Sequence, residues 1–339
     1  MKKSFPILIL VFLFTGIYGC TGKEAPALHS RYYSVMGGII LEIKLYGTEE
    51  NTSKIADKIY KQVEEVDKTC NIYKPETELS RLNASAYSAP FKCSPLLWKL
   101  MIISKHYYDL TDGAFDISET PLLKLWGFYR KRKQLPTAAE TAKAKEKVGL
   151  DKVIFDMKNH TVKFTVQGMR LDLGGIAKGF AVQKAAEYAK KIGVKRGIIN
   201  LSGNAYCFQE PFPGRKNYII GVKNPLRKNA ICGKVKILDQ SVATSGDYER
   251  FVIINGKHYA HIMNPETGKP VENMLAVTVI TPDAADADAL STSVFIKGEK
   301  FAKKIMDEIP GTSFLIIRKN KSGIPTMKKL GTCWENCTL

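Results

Sequence analysis

An aspartate, three glycines and a lysine fall within the eight residues Asp172-Leu173-Gly174-Gly175-Ile176-Ala177-Lys178-Gly179. Glycines at a helix start let backbone amides approach an anion, and the helix dipole adds partial positive charge there. Lys178, one turn in, adds a full charge, so the stretch predicts a phosphate cradle. It is not a dinucleotide fingerprint, which needs G-x-G-x-x-G after a strand. The plainer alternative is a tight turn whose glycines only permit close packing. Asp288 and Thr292 are four apart, so on a helix both project from one face. A carboxylate and a hydroxyl are hard oxygen ligands suited to Mg²⁺, whereas Asp286 beside them reads better as a charge favouring the helix start. His261 is one of five histidines and lies among turn residues on the second strand of a predicted hairpin. Beside a metal–phosphate centre it is a candidate base for a hydroxyl nucleophile; alone, it reads as structural. Two further polar loops are Thr111-Asp112-Gly113-Ala114-Phe115-Asp116 and Ala243-Thr244-Ser245-Gly246-Asp247-Tyr248.

The elements that must position these groups are legible in outline. Tyr32 to Leu45 alternates like one strand, and Ser53 to Thr69 has the helical repeat, with Ile55, Ile59, Val63 and Val66 inward. Ser94 caps a helix with Pro95 at its first position, and Thr137-x-x-Glu140 is a capping box. Val153 to Val166 reads as a hairpin around Asn159. Phe251 to Met263 is another, with Asn255-Gly256 as a type I′ turn. After the glycine cluster a helix carries Ile176, Phe180, Val182, Ala186 and Ala189 inward and ends at Gly193, a left-handed cap. A strand from Gly197 to Leu201 follows. Ala276 to Thr281 is a strand, Asp283 to Lys297 a helix, and Ser313 to Arg318 the closing strand. Antiparallel hairpins with packed helices between them predict a single compact α+β domain rather than a doubly wound sheet.

The N-terminus predicts export. Lys2 and Lys3, an apolar run from Ile7 to Phe14, and Ile17-Tyr18-Gly19-Cys20 read as a lipoprotein signal peptide over residues 1–19. The run is too short to span a bilayer as a stable helix. Gly19-Cys20 resembles a lipobox, which predicts a lipid on Cys20, a lipidated tether over 20–30, and the catalytic domain over 31–339. The expected location is the periplasmic or extracytoplasmic face of a bacterial membrane. The net charge of +18, from 51 Lys and Arg against 33 Asp and Glu, suits anionic headgroups or phosphate-bearing ligands. No basic motif interleaved with aromatics is present, so nucleic acid is not an expected partner. Six cysteines follow Cys20: Cys70, Cys93, Cys207, Cys232, Cys333 and Cys337. An even count outside the cytoplasm permits disulfides of open connectivity, with Cys333 and Cys337 spaced to close a small loop in the C-terminal tail.

LDLGGIAKGFA, INLSGN, VATSGDYER, HIMNPETGKPV and DAADADALSTSVF, in that order, resemble the ApbE family, the FAD:protein FMN transferases. So do Met36-Gly37, Tyr73 in NIYKPETELSRLN, and TDGAFDISETPLLKLWGF. The resemblance runs from about Tyr32 to Phe295. It implies a periplasmic, often lipidated, Mg²⁺-dependent enzyme with a fold related to the tunnelling (T-fold) proteins. Such an enzyme moves FMN from FAD to a Thr or Ser hydroxyl of an acceptor flavoprotein subunit and releases AMP. By the same resemblance Met36, Tyr73, Ala114, Phe115, Asp116, Asp172, Lys178 and Ile262 hold FAD. Gly175, through its carbonyl, with Asp288 and Thr292, holds Mg²⁺, and His261 is the catalytic histidine. Two positions depart from the family pattern: Gly38, where Thr usually follows Met-Gly, and Asn264, where Asp is frequent before Pro. Water in place of the hydroxyl would make the same site an FAD pyrophosphatase giving FMN and AMP. A lipoprotein that only binds FAD is a third reading, and it leaves Asp288, Thr292 and His261 without a use.

Overall fold

The computed structural model describes residues 25–339; the expected signal peptide over 1–19 and Cys20 lie outside the described residues. Eight strands form one sheet: β1 (Ala27–Val35), β2 (Ile39–Gly47), β3 (Gly197–Leu201), β4 (Asn204–Cys207), β5 (Gln240–Gly246), β6 (Met274–Thr281), β7 (Ser313–Lys319) and β8 (Pro325–Leu330). Their order in space follows their order in the chain, and every neighbouring pair is antiparallel. The α+β expectation holds.

Helices α1 (Glu49–Cys70), α2 (Ala177–Lys191) and α3 (Ala284–Lys297) form a layer on one face, with α2 touching both others and α3 lying on β5 and β6. Each offers an apolar stripe, as α1 does with its fully buried Ile59, Val63 and Val66. On the other face a small sheet of Tyr218–Lys223, Ile231–Ile237 and Trp334–Glu335 covers the strands. Its Val235 and Ile237 meet Val242 and Ile280 of the large sheet. β6 is therefore buried along its whole length, MLAVTVIT, without alternation of polar and apolar residues. A strand covered on both faces needs no polar side.

Three local expectations are corrected. Tyr32 to Leu45 is a hairpin, because Met36, Gly37 and Gly38 take positive φ (48°, 81° and 105°) and reverse the chain. Both arms carry the same alternation, so the pattern runs on across the turn. The strand at Ser313 does not close the fold: β8 pairs with it as a half-exposed edge carrying Lys328 and Lys329, charges that suit an edge. The tail does not close on itself either. All six cysteines are free thiols, and Trp334–Glu335 pairs with Val235 and Lys234. Burial pushes the Cys232 thiol up to about 11, which suppresses its reactivity.

Candidate active site

The glycine cluster sits where α2 meets α3. A Cβ on Gly179 would overlap the carbonyl oxygen of Ala284, so glycine is what allows the two helices to touch. Across this seam the buried Asp288 carboxylate accepts the Gly179 amide through Oδ2 at 2.9 Å and the Lys178 ammonium through Oδ1 at 3.4 Å. The Lys178 amide also hydrogen-bonds to it. On the approach to α2, the Gly174 amide donates to Asp172 Oδ1 at 2.9 Å. Three amides of the expected cradle, those of Gly174, Lys178 and Gly179, are thus engaged by the protein's own carboxylates, because a buried carboxylate needs donors as much as a phosphate does. Lys178 brings a full positive charge to the same place, its Nζ 3.2 Å from the Gly174 carbonyl. Burial raises the Asp288 carboxyl above its ordinary range, while Lys178 and the amides pull it back.

Thr292 stands one turn beyond Asp288. Ser245, at the end of β5, places Oγ 3.2 Å from Thr292 Oγ1 and 2.7 Å from Ser291 Oγ. Gly175, two residues ahead of α2, comes close as well, and a Cβ added there would lie 3.8 Å from Thr292 Oγ1. The side-chain donors here are one carboxylate and hydroxyls. Among the described residues no group of three or more His, Cys, Asp or Glu could hold a metal. A cation at this place would keep water or take ligand oxygens, which is how Mg²⁺ is usually held. The residues fit that ion in kind.

His261 lies just past the strand Lys257–Ala260, not within it. Asn255 and Gly256 take φ of 51° and 76°, as a type I′ turn requires. Both the amide and Nδ1 of His261 lie 3.0 Å from the Arg250 carbonyl. A carbonyl only accepts, so Nδ1 carries the hydrogen and Nε2 is left as a proton acceptor. Burial, then the charges of Lys178 and Arg250, lower this imidazole to about 4 against the pull of the carbonyl bond. It is neutral at pH 7. Ile262, buried next to it, accepts the Val271 amide at 2.8 Å.

Further residues from separate segments join His261 in lining the cleft. Tyr73 is 62% exposed, and its amide is held by Asn71 Oδ1 at 3.0 Å, with Asn71 in turn donating to Asp67 at 2.9 Å. The Tyr129 ring lies 6.1 Å from that of Tyr73, its hydroxyl donating to Asp172 Oδ2 at 2.8 Å. Arg250 covers Tyr129 at 5.3 Å and donates to the Phe128 carbonyl at 2.7 Å. In the loop Ala114-Phe115-Asp116, the Phe115 amide donates to Thr111 Oγ1 at 2.8 Å. Asp116 Oδ1 accepts both the amide and hydroxyl of Ser118 at 2.7 Å. Burial pushes the Asp116 carboxyl up to about 6 despite those bonds.

Every FAD, Mg²⁺ and catalytic position expected from the resemblance, from Met36 in the β1–β2 turn to Thr292, lines one cleft of about 450 Å³, as do Thr244, Ser245 and Gly246 of the second polar loop, whereas Asp247 and Asp286 are not in its lining. Sequence reasoning missed Arg250 and Tyr129 as positioning groups, and Ser245 as the neighbour of Thr292. Arg250 and Phe128 are 122 residues apart, so no local spacing could have joined them.

A family model described as the ApbE family matches residues 37–316. The FAD:protein FMN transferase of Klebsiella pneumoniae (strain 342) is 29% identical over 292 residues, covering 86% of this chain and 89% of that protein. That of Escherichia coli (strain K12) is 27% identical over 337 residues, covering 95% of each. Among solved structures, the ApbE protein of Thermotoga maritima MSB8 superposes with a TM-score of 0.80 at 28% identity, over 90% of this chain and 97% of that one. The flavin transferase ApbE of Vibrio cholerae gives 0.79 at 25% identity, over 91% and 98%.

Proposed function

This chain belongs to the ApbE family and is an enzyme of flavin transfer, and from that premise we propose that its cleft passes FMN from FAD to a Thr or Ser hydroxyl of a flavoprotein subunit, releasing AMP. One observation carries the reading. A neutral histidine with an open Nε2 faces the same cleft as Lys178 and the Asp288–Thr292 pair. In this reading Tyr73 and Tyr129 offer planar faces to a ring of FAD. Lys178 brings its charge to the pyrophosphate. His261 Nε2 takes the proton as the hydroxyl oxygen bonds to the FMN-side phosphorus and the bond from that phosphorus to the AMP oxygen breaks. The Arg250 carbonyl keeps the imidazole in the tautomer that can do this. Gly175, Asp288 and Thr292 would hold Mg²⁺, which when bound offsets negative charge on the phosphates.

The proposed location is the periplasmic or extracytoplasmic face of a membrane, with a lipid on Cys20. It is supported by Gly19-Cys20 following the apolar run. No helix of the described residues is long and apolar enough to cross a membrane. A Cys20→Ser chain should be released from membranes; one that still fractionates with them as a lipid-modified species overturns the anchor.

Incubating the full chain with FAD and Mg²⁺, with and without an acceptor domain, tests the chemistry. Transfer predicts FMN fluorescence on the denatured acceptor and AMP in step with it. AMP release of equal size without acceptor, and no labelled acceptor, would assign a pyrophosphatase. Bound FAD with no AMP in either tube would leave only a binding protein.

A further inference from the structure

The cleft contains a carboxyl that neither the proposed proton transfer nor the proposed cation site uses. Glu119 lies just ahead of the short helix Thr120–Leu125 and lines the cleft with Ile117, Leu123 and Ile262. Its backbone is fixed: the Glu119 carbonyl accepts the Leu123 amide at 3.0 Å, and two residues earlier the Ile117 carbonyl accepts the Asp172 amide at 2.7 Å. Its side chain is not satisfied. Oε1 is buried and has no hydrogen-bond partner among the described residues. Buried polar atoms of native proteins are almost always paired, so such an atom in a ligand cleft asks for a ligand. Burial, and then the charges of Asp116 and Asp172, push the Glu119 carboxyl well above the usual carboxylate range. No positive charge stands among those influences. Burial thus favours the protonated form, which has one O–H to give.

Resting on the FAD reading, we infer that Glu119 is a specificity residue of the cleft that donates its carboxyl hydrogen to a ring nitrogen or ring carbonyl of the bound dinucleotide. A phosphate is the wrong acceptor here, because Asp116 and Asp172 would repel it and the charge of Lys178 lies with the Gly174 end of the cleft. An uncharged heterocycle edge meets no such repulsion, and the apolar Ile117, Leu123 and Ile262 suit its faces. Adenine and isoalloxazine both carry acceptors of this kind. The shared chemistry is a ring acceptor, and the two halves of the substrate can be offered separately.

The experiment measures FAD, FMN and AMP affinities of the full chain, by flavin fluorescence and by calorimetry, for Glu119→Gln, Glu119→Leu and Glu119→Asp. The glutamine amide keeps a donor, so Glu119→Gln should bind FAD within about threefold of the unaltered chain. Glu119→Leu removes the donor at similar size and should weaken FAD binding by about 5- to 100-fold, the scale of a lost buried hydrogen bond. The same loss on AMP assigns the contact to adenine, and on FMN to isoalloxazine; either supports the inference. If Glu119→Leu fails to fold by circular dichroism, Glu119→Asp decides, since withdrawing the carboxyl by one methylene should also weaken FAD. Unchanged affinity in Glu119→Leu overturns the inference, as does equal weakening in Glu119→Gln and Glu119→Leu. An unaltered chain that binds none of the three ligands would instead remove the FAD reading itself.

Discussion

The wall of the cleft made by α2 and α3 is built from two short runs, Gly174–Gly179 and Asp288–Thr292, on helices packed too closely for a Cβ at Gly179. A second wall collects Tyr73, Tyr129, Arg250 and His261 from separate segments. Long-range bonds hold it, such as Arg250 to the Phe128 carbonyl and Trp126 Nε1 to the Gly268 carbonyl at 2.9 Å. On the first wall main chain meets main chain, and any added atom must move a helix. On the second, side chains that can rotate meet carbonyls, and a lost atom costs a contact but not an element. The difference teaches where chemistry and where affinity should reside.

The largest effect that can break this contrast is the loss of His261. His261→Ala should lower transfer by about 10²- to 10⁴-fold, the scale of a lost general base, while FAD binding stays within a few-fold. Single-turnover transfer and flavin fluorescence read the two separately, and equal losses in both would make His261 structural. The pH profile sharpens the same point. Only neutral imidazole can take the proton, and its folded value of about 4 lies below the ordinary histidine value of about 6.5. The acid limb of kcat/KM, which reports the free enzyme, should therefore fall near 4. Stability runs with it: the unfolded chain takes up the proton first, so this histidine costs stability as pH falls from its unfolded value toward 4.

Next in size is the seam. Gly179→Ala should lower stability by about 1–3 kcal/mol, the usual effect of overpacking, and transfer should fall with it as Asp288 is displaced. An unchanged urea midpoint would mean that the helices are not in close contact in solution. On the second wall Tyr73→Ala should leave the midpoint unchanged, since the side chain is largely exposed. It should weaken FAD by about 2- to 12-fold, matching the roughly 0.5–1.5 kcal/mol of an aromatic pair. The smallest effect belongs to His258→Ala. His258 is exposed, 2.9 Å from the Asp247 carbonyl and 4.3 Å from the Phe251 ring. Transfer within about twofold of the unaltered chain is expected at such a surface position, removed from the reacting groups.

The same contrast explains what could be read from the chain. Gly174, Gly175, Lys178, Asp288 and Thr292 were legible because their spacing is local and helical periodicity turns spacing into facing. The hairpin at Asn255-Gly256 was legible because its turn has a strict sequence demand. The reversal at Met36–Gly38 was hidden, since matching alternation in both arms masked it. That Asp288 would cap α2 from another helix was hidden too. A carboxylate's donors are decided by which helices pack together, and no window of sequence holds both. Arg250 and Tyr129 escaped for the same reason.

The order of the strands has a consequence for how the chain is made. β2 ends at Gly47 and its second neighbour, β3, begins at Gly197, so at roughly 5–20 residues per second about 8–30 s of synthesis separate them. Through that interval one edge of β2 has no strand to pair with. Leu41, Ile43 and Leu45 point into what will be the core, and α1 is the first element to emerge that can cover them. An unpaired edge invites pairing with a foreign strand. The nascent chain thus carries an open strand edge while the segment with Tyr73, Asp116 and Tyr129 is being made.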